Sequence, residues 1–136
     1  FAYVLTRARL DVAISSALVN ITGGSTIIFF LIVNIILLIA GCFLDSTSAL
    51  YIFVPLFVPV AEALGVNLIH LGVVMIVNLA IGLYTPPVGV NLYVACGVGK
   101  VDLKTISKSV IPLIVASIVV LLIVTYIPQI STLFVG

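Results

Sequence analysis

Two short polar clusters interrupt an otherwise apolar chain, and their residue types are those that hold ions. The first is Asp45-Ser46-Thr47-Ser48, a carboxylate followed by three hydroxyls. Hard cations prefer such oxygens, and an acid between long uncharged runs is costly unless it has work to do. The same aspartate would equally serve as the N-cap of a following helix. The second cluster runs from Gly82 to Gly89 and reads GLYTPPVG, with Asn91 just beyond. Its adjacent prolines remove two backbone donors, and Pro86 drives Thr85 out of helical geometry. The carbonyls of Gly82 to Thr85 then lack helical partners, and with the Thr85 hydroxyl they form a set suited to Na⁺. A half-helix starting after the break would offer its first amides, over Val88 to Asn91, to a carboxylate. The alternative is a proline kink that only serves packing.

Other chemistries lack their residues. His70 is the only histidine, and Cys42 and Cys96 lie in apolar stretches without metal-ligand spacing, so both cysteines read as small packing residues. There is no phosphate loop and no nucleophile–base set, which argues against an enzyme. A net charge of +1 leaves no basic patch for nucleic acid.

The elements that must position these clusters are membrane helices. The 136 residues are 64% hydrophobic and 7% charged, with a mean hydropathy of +1.53, whereas soluble domains carry about 25% charged residues. Val12 to Leu44, Ala63 to Gly99 and Ser109 to Gly136 contain no Asp, Glu, Lys or Arg. Continuous apolar runs without alternation indicate helices rather than a barrel. The chain therefore reads as an all-α integral membrane protein. Phe1 opens inside an apolar segment, as expected of a piece of a larger protein.

Residues 1–25 read as the end of a membrane helix, Phe1 to Thr6, and an interfacial arm, Arg7 to Asn20, closed by a Thr22-Gly23-Gly24-Ser25 turn. Ser25 or Thr26 would cap the next helix. Residues 26–62 read as a hairpin that dips into the bilayer and returns, with Asp45 to Ser48 near its tip. The argument is length: Ala49 to Ala61, interrupted by Pro55 and Pro59, reaches only about 20 Å, against a hydrocarbon core of about 30 Å. Two tilted full spans are the alternative. In 63–99, Gly65 to His70 reads as a turn with His70 at the interface. Leu71 to Gly99 would reach about 43 Å as one straight helix, so the break at Thr85-Pro86-Pro87 divides it. Residues 100–109 form the one charged loop, with a short surface helix over Val101 to Ser109, and 110–136 hold the final span, closed by Pro128. Lys100, Lys104 and Lys108 put that loop in the cytoplasm, and the Arg7 end and the C-terminus then face outward if Thr26 to Glu62 re-enters. Asn34 and Asn78 read as interhelical hydrogen bonds.

Gly41-Cys42-Phe43-Leu44-Asp45, Pro55 and Pro59, Gly65-Val66-Asn67, His70-Leu71-Gly72 and GLYTPPVGVNL from Gly82 to Leu92, in that order, resemble the large membrane subunit of tripartite ATP-independent periplasmic (TRAP) transporters. The likeness covers roughly Leu10 to Val124 and reaches only the C-terminal part of that subunit, its second inverted repeat. It implies an elevator-type Na⁺ symporter of the bacterial inner membrane, multi-pass, with 26–99 in the moving transport domain and the final span in the scaffold. The hairpin tip would face the break. Gly41, Asp45, Ser46, Gly82, Thr85 and Pro86 are then candidates for Na⁺, and Thr47, Val88, Gly89 and Asn91 for the substrate. The resemblance also implies an organic-acid substrate, of the C4-dicarboxylate or sialic acid class. The partners implied are a small four-helix membrane subunit, separate or fused, and a soluble extracytoplasmic binding protein. Two other readings stand beside it: a Na⁺- or H⁺-coupled organic-anion transporter that needs no binding protein, and a non-transporting membrane assembly module.

Overall fold

The computed structural model describes residue 4 and residues 10–133. The helix end expected over Phe1 to Thr6 (Val4 apart), the Arg7 and Arg9 charges that bear on orientation, and Gly136 lie outside the described residues.

Among the described residues seven helices follow one another: α1 Leu10–Thr22, α2 Thr26–Phe43, α3 Ser46–Ala63, α4 Leu68–Gly82, α5 Val90–Gly99, α6 Leu103–Tyr126 and α7 Pro128–Thr132. No strand occurs among the described residues. Helices α2, α3 and α6 are long and apolar enough to cross a membrane.

Local chemistry sets most of the boundaries. Gly23 and Gly24 join α1 to α2 at φ +56° and +79°, a region side chains disfavour. Ser25 occupies the N-cap of α2 without a side-chain bond. Leu44 and Asp45 are extended, and the Asp45 carboxylate accepts the Ser48 N–H at 3.0 Å, starting α3 at Ser46.

Three expectations need correction. Helix α3 begins at Ser46 and runs through Pro55 and Pro59, giving 18 residues, or about 27 Å; the Asp45 cap supplies the additional first turn, so length alone does not make this segment re-enter. Helix α4 begins at Leu68, because Asn67 Oδ1 accepts the N–H groups of Ile69 at 2.8 Å and His70 at 3.4 Å; His70 is therefore helical and only 3% exposed. The charged loop is short. Asp102 caps a single 24-residue helix, so Leu103 to Ser109 are its first turns and not a separate surface helix. Hydrogen bonds from the Thr105 hydroxyl and amide hold the Asp102 carboxyl below its usual range.

Helices α2 and α4 form the centre and run parallel. Phe30 packs on His70 with ring centroids 5.0 Å apart, Asn34 meets Asn78, and Gly41 meets Gly82. Helix α6 runs antiparallel to both, since Tyr84 reaches Ser117 while His70 and Asn34 reach Thr125. Helices α1 and α3 pack on one side, where Phe57 meets Phe29 edge-on at 6.4 Å. Phe29, Val33, Leu37, Phe57, Val60, Leu71, Val74 and Leu79 are fully buried at this centre. The outer faces stay apolar, with Ile35, Ile39, Val115 and Val119 exposed, as a hydrocarbon solvent or further protein requires.

Candidate functional site

The last turn of α2, just before the first polar cluster, meets the second cluster through glycines. Helix α4 ends at Gly82, and α5 starts at Val90 after a left-handed Gly89 at φ +50°. At 15 and 10 residues, the halves reach about 22 and 15 Å, each too short to span alone. The chain between them contains a cis Pro86–Pro87 bond.

The C-terminal turn of α2 lies on this break, backbone against backbone. A Cβ placed on Gly82 would stand 2.5 Å from the Gly41 carbonyl carbon, 2.6 Å from its Cα and 2.9 Å from its oxygen. One placed on Gly41 would meet Gly82 Cα at 3.1 Å and the Leu79 backbone at 3.4 Å. Beyond this crossing, Gly89 N–H donates to Cys42 O at 3.2 Å, and Cys42 Sγ approaches Pro86 O at 4.0 Å. No side chain larger than hydrogen fits at Gly82, which is the physical reason that this position is a glycine.

The oxygens gathered here are neutral. Thr85 Oγ1 donates to Ile81 O at 2.7 Å, which leaves its lone pairs for another donor or a cation. Gly41 O lies against Gly82, and Thr85 O lies against Gly89. The expectation that the carbonyls of Gly82 to Thr85 lack partners is corrected for two of them: Gly82 O accepts the Thr85 N–H and Leu83 O the Asn91 N–H, both at 3.0 Å, because the chain turns tightly after α4. Carbonyls and a hydroxyl on unwound backbone are the ligand types that coordinate a monovalent cation within a membrane protein.

The other candidates divide. Asp45 is an exposed cap, as one of its two sequence readings held, and Thr47 lies on the exposed face of α3 beside Leu50, Tyr51, Val54 and Pro55. Among the described residues no hydrogen bond joins Asp45, Ser46 or Thr47 to the break. At the start of α5, the Gly89 and Asn91 amides are already used, on Cys42 O and Leu83 O at 3.2 and 3.0 Å. An anion arriving there would rely on the exposed Asn91 side chain and on the other amides of that turn. Gly89 is buried, and Val88 is half-buried.

A polar node below the break joins three helices. Asn78 donates to Asn34 at 2.7 Å, and Asn34 donates to Thr125 at 3.2 Å, so the interhelical expectation for both asparagines holds. His70 lies close by, with Nε2 2.9 Å from Thr125 O and Nδ1 2.8 Å from Ser131 Oγ. The Thr125 carbonyl can only accept, so Nε2 carries a hydrogen and donates to it, while Nδ1 pairs with the Ser131 hydroxyl. Sequence reading missed Thr125 and the bond from Tyr84 OH to Ser117 Oγ at 2.7 Å. The available signal was the pair of hydroxyls, Ser117 and Thr125, in the otherwise apolar stretch Val110 to Thr125.

The profile of the family described as "Tripartite ATP-independent periplasmic transporter, DctM component" matches residues 1–130. The chain is 44% identical over 131 residues to the C4-dicarboxylate TRAP transporter large permease protein DctM of Pseudomonas aeruginosa, covering 96% of this chain and 30% of that protein. It is 41% identical over 136 residues to the isethionate TRAP transporter permease protein DctMQ of Oleidesulfovibrio alaskensis, covering all of this chain and 21% of that protein. With the sialic acid TRAP transporter large permease protein SiaM of Vibrio cholerae the identity is 36% over 133 residues, 98% of this chain and 31% of that protein. The chain thus spans about a fifth to a third of the length of these relatives.

Proposed function

The chain belongs to the DctM component family of tripartite ATP-independent periplasmic transporters, and from that premise we propose that it forms an ion-binding part of a Na⁺-coupled organic-acid permease in the bacterial inner membrane. The observation that carries the reading is the backbone contact of Gly41 with Gly82. It sets the turn of one helical hairpin on the break of a divided helix, and broken backbone at membrane depth is tolerated where it lines a site.

In this reading Na⁺ is a transported co-substrate. The carbonyls of Gly41, Gly82 and Pro86 and the Thr85 hydroxyl supply its oxygens, and Asp45 and Ser46 add negative and polar character at the hairpin turn. The organic acid lies beyond, towards Thr47, Val88, Gly89 and Asn91, and the N-terminal end of α5 favours its carboxylate. The names of the relatives suggest C4-dicarboxylates, isethionate or sialic acid as substrate classes. Helices α2 and α3 act as a re-entrant hairpin and move with α4 and α5 as an elevator. Four polar contacts tie α6 to α2, to α4 and to Tyr84 in the break, which favours its moving with them over a place in the scaffold. A small membrane subunit and a soluble binding protein complete the system.

The test is uptake of a labelled organic acid by liposomes holding the full-length parent of this chain with its small subunit. Uptake that requires both an inward Na⁺ gradient and the binding protein supports the proposal. Uptake that needs Na⁺ alone points to a conventional secondary transporter. No uptake from well-folded protein sinks the transport reading.

A further inference from the structure

The hairpin arm and the broken helix are tied together by buried amides one or two turns below the point where their glycines meet. Asn78 is completely buried and Asn34 nearly so. Asn78 Nδ2 donates to Asn34 Oδ1 at 2.7 Å and to Val74 O at 2.8 Å. Asn34 Nδ2 donates to Thr125 Oγ1 at 3.2 Å, and that hydroxyl donates to Leu121 O at 2.7 Å. The bonds run one way, from α4 through α2 into α6, and end on a main-chain carbonyl. This direction fixes the amides: turning Asn78 over would press its oxygen against two acceptors. Asn78 Oδ1 is left without a donor among the described residues, a burden that an apolar side chain of similar size would avoid.

Gly41 lies about two turns beyond Asn34, and Gly82 about one turn beyond Asn78, on the same helix faces. A glycine-on-glycine contact has no side chain to fix its register, so two bare backbones can slide past one another. An amide pair is directional and supplies the register the glycines lack. We infer that the Asn34–Asn78 clasp is a positioning device that holds the Gly41–Cys42 turn on the Gly82–Gly89 break and keeps the oxygens there assembled. Cys42 reports on this closure: it is 5% exposed, and its Sγ lies 3.1 Å from Leu38 O and 4.0 Å from Pro86 O. The effect on Na⁺ dependence rests on the transport reading above; the shielding of Cys42 does not.

The experiment measures the rate at which N-ethylmaleimide modifies Cys42, followed by peptide mass spectrometry, in the liposome-reconstituted parent protein. Asn34→Leu, Asn78→Leu and the double variant are compared with wild type, and Cys96 on α5 serves as the internal control. Each single variant is expected to speed Cys42 modification about threefold or more, the factor equivalent to one interhelical hydrogen bond in a membrane. The double variant should be no faster than the faster single, Cys96 should be unchanged, and the Na⁺ half-saturation should rise in step. Unchanged Cys42 rates, multiplied effects in the double variant, or an equal rise at Cys96 overturn the clasp. Where a leucine variant does not assemble, Thr125→Val removes only the hydroxyl beside Asn34; it is expected to give about a twofold rise, and no rise overturns the proposal. Wild-type protein that lacks Na⁺-dependent uptake but shows the expected Cys42 rates refutes the transport reading and leaves the clasp standing.

Discussion

Gly41 and Gly82 touch through backbone alone: a Cβ on Gly82 would lie 2.6 Å from Gly41 Cα, closer than real Cβ contacts come. Gly82→Ala must therefore move α2 from α4, at a cost of about 1–3 kcal/mol for an overpacked site. The expected outcome is at least a tenfold loss of Na⁺-driven uptake at matched membrane levels, about 1.4 kcal/mol per decade. Gly72→Ala on the same helix meets open space, and should keep uptake and raise helix stability by about 0.5–1 kcal/mol. Equal behaviour of the two variants in parallel uptake and thermal-shift assays would remove the glycine contact from the mechanism.

The paired substitution Pro86→Ala with Pro87→Ala restores two backbone donors in the chain between α4 and α5. It is expected to extend helix into the break, to displace Thr85, and to abolish the Na⁺ dependence of uptake while the protein still inserts. Ordinary Na⁺-driven uptake by this variant would show that the break is not the ion site.

Thr85→Ala and Asp45→Asn separate ligand from cap. Thr85→Ala removes one oxygen and the bond to Ile81 O, and should raise the Na⁺ half-saturation by about tenfold, the scale of one charge-assisted contact. Asparagine caps a helix as well as aspartate does, so Asp45→Asn keeps the Ser48 bond and the start of α3. A rise in Na⁺ half-saturation in Asp45→Asn then reports the carboxylate charge. No change in either variant would favour a membrane module in which these residues only shape helices.

His70→Leu strips Thr125 O and Ser131 Oγ of their ring partners. The expected loss is about 1–3 kcal/mol, the cost of leaving buried polar groups unpaired, read as a lower melting temperature in detergent. Uptake per folded molecule should persist, with the same pH profile. Wild-type melting together with lost uptake would instead assign His70 a proton-handling role.

The sequence by itself determined that this chain lies in a membrane, that it is helical, and where its helices break. Those features are local. Charge-free runs decide the solvent, adjacent prolines end α4 through their own missing donors, and Gly23 and Gly24 allow a turn that other residues resist. The start of α3 is also encoded locally, in Asp45, although Pro55 and Pro59 make the segment look shorter than it is. The cap bond to Ser48 recovers the first turn, and Pro55 and Pro59 do not end the helix. The same holds for Asn67 and α4, and for Asp102 and α6. Only the tertiary structure decided which residues meet: that Gly41 rests on Gly82, that Asn34 stands between Asn78 and Thr125, and that His70 closes on the end of α6. Those partners lie from 41 to 91 positions apart. Their meeting depends on how parallel and antiparallel helices cross, a property of packed faces that no local pattern of residues specifies.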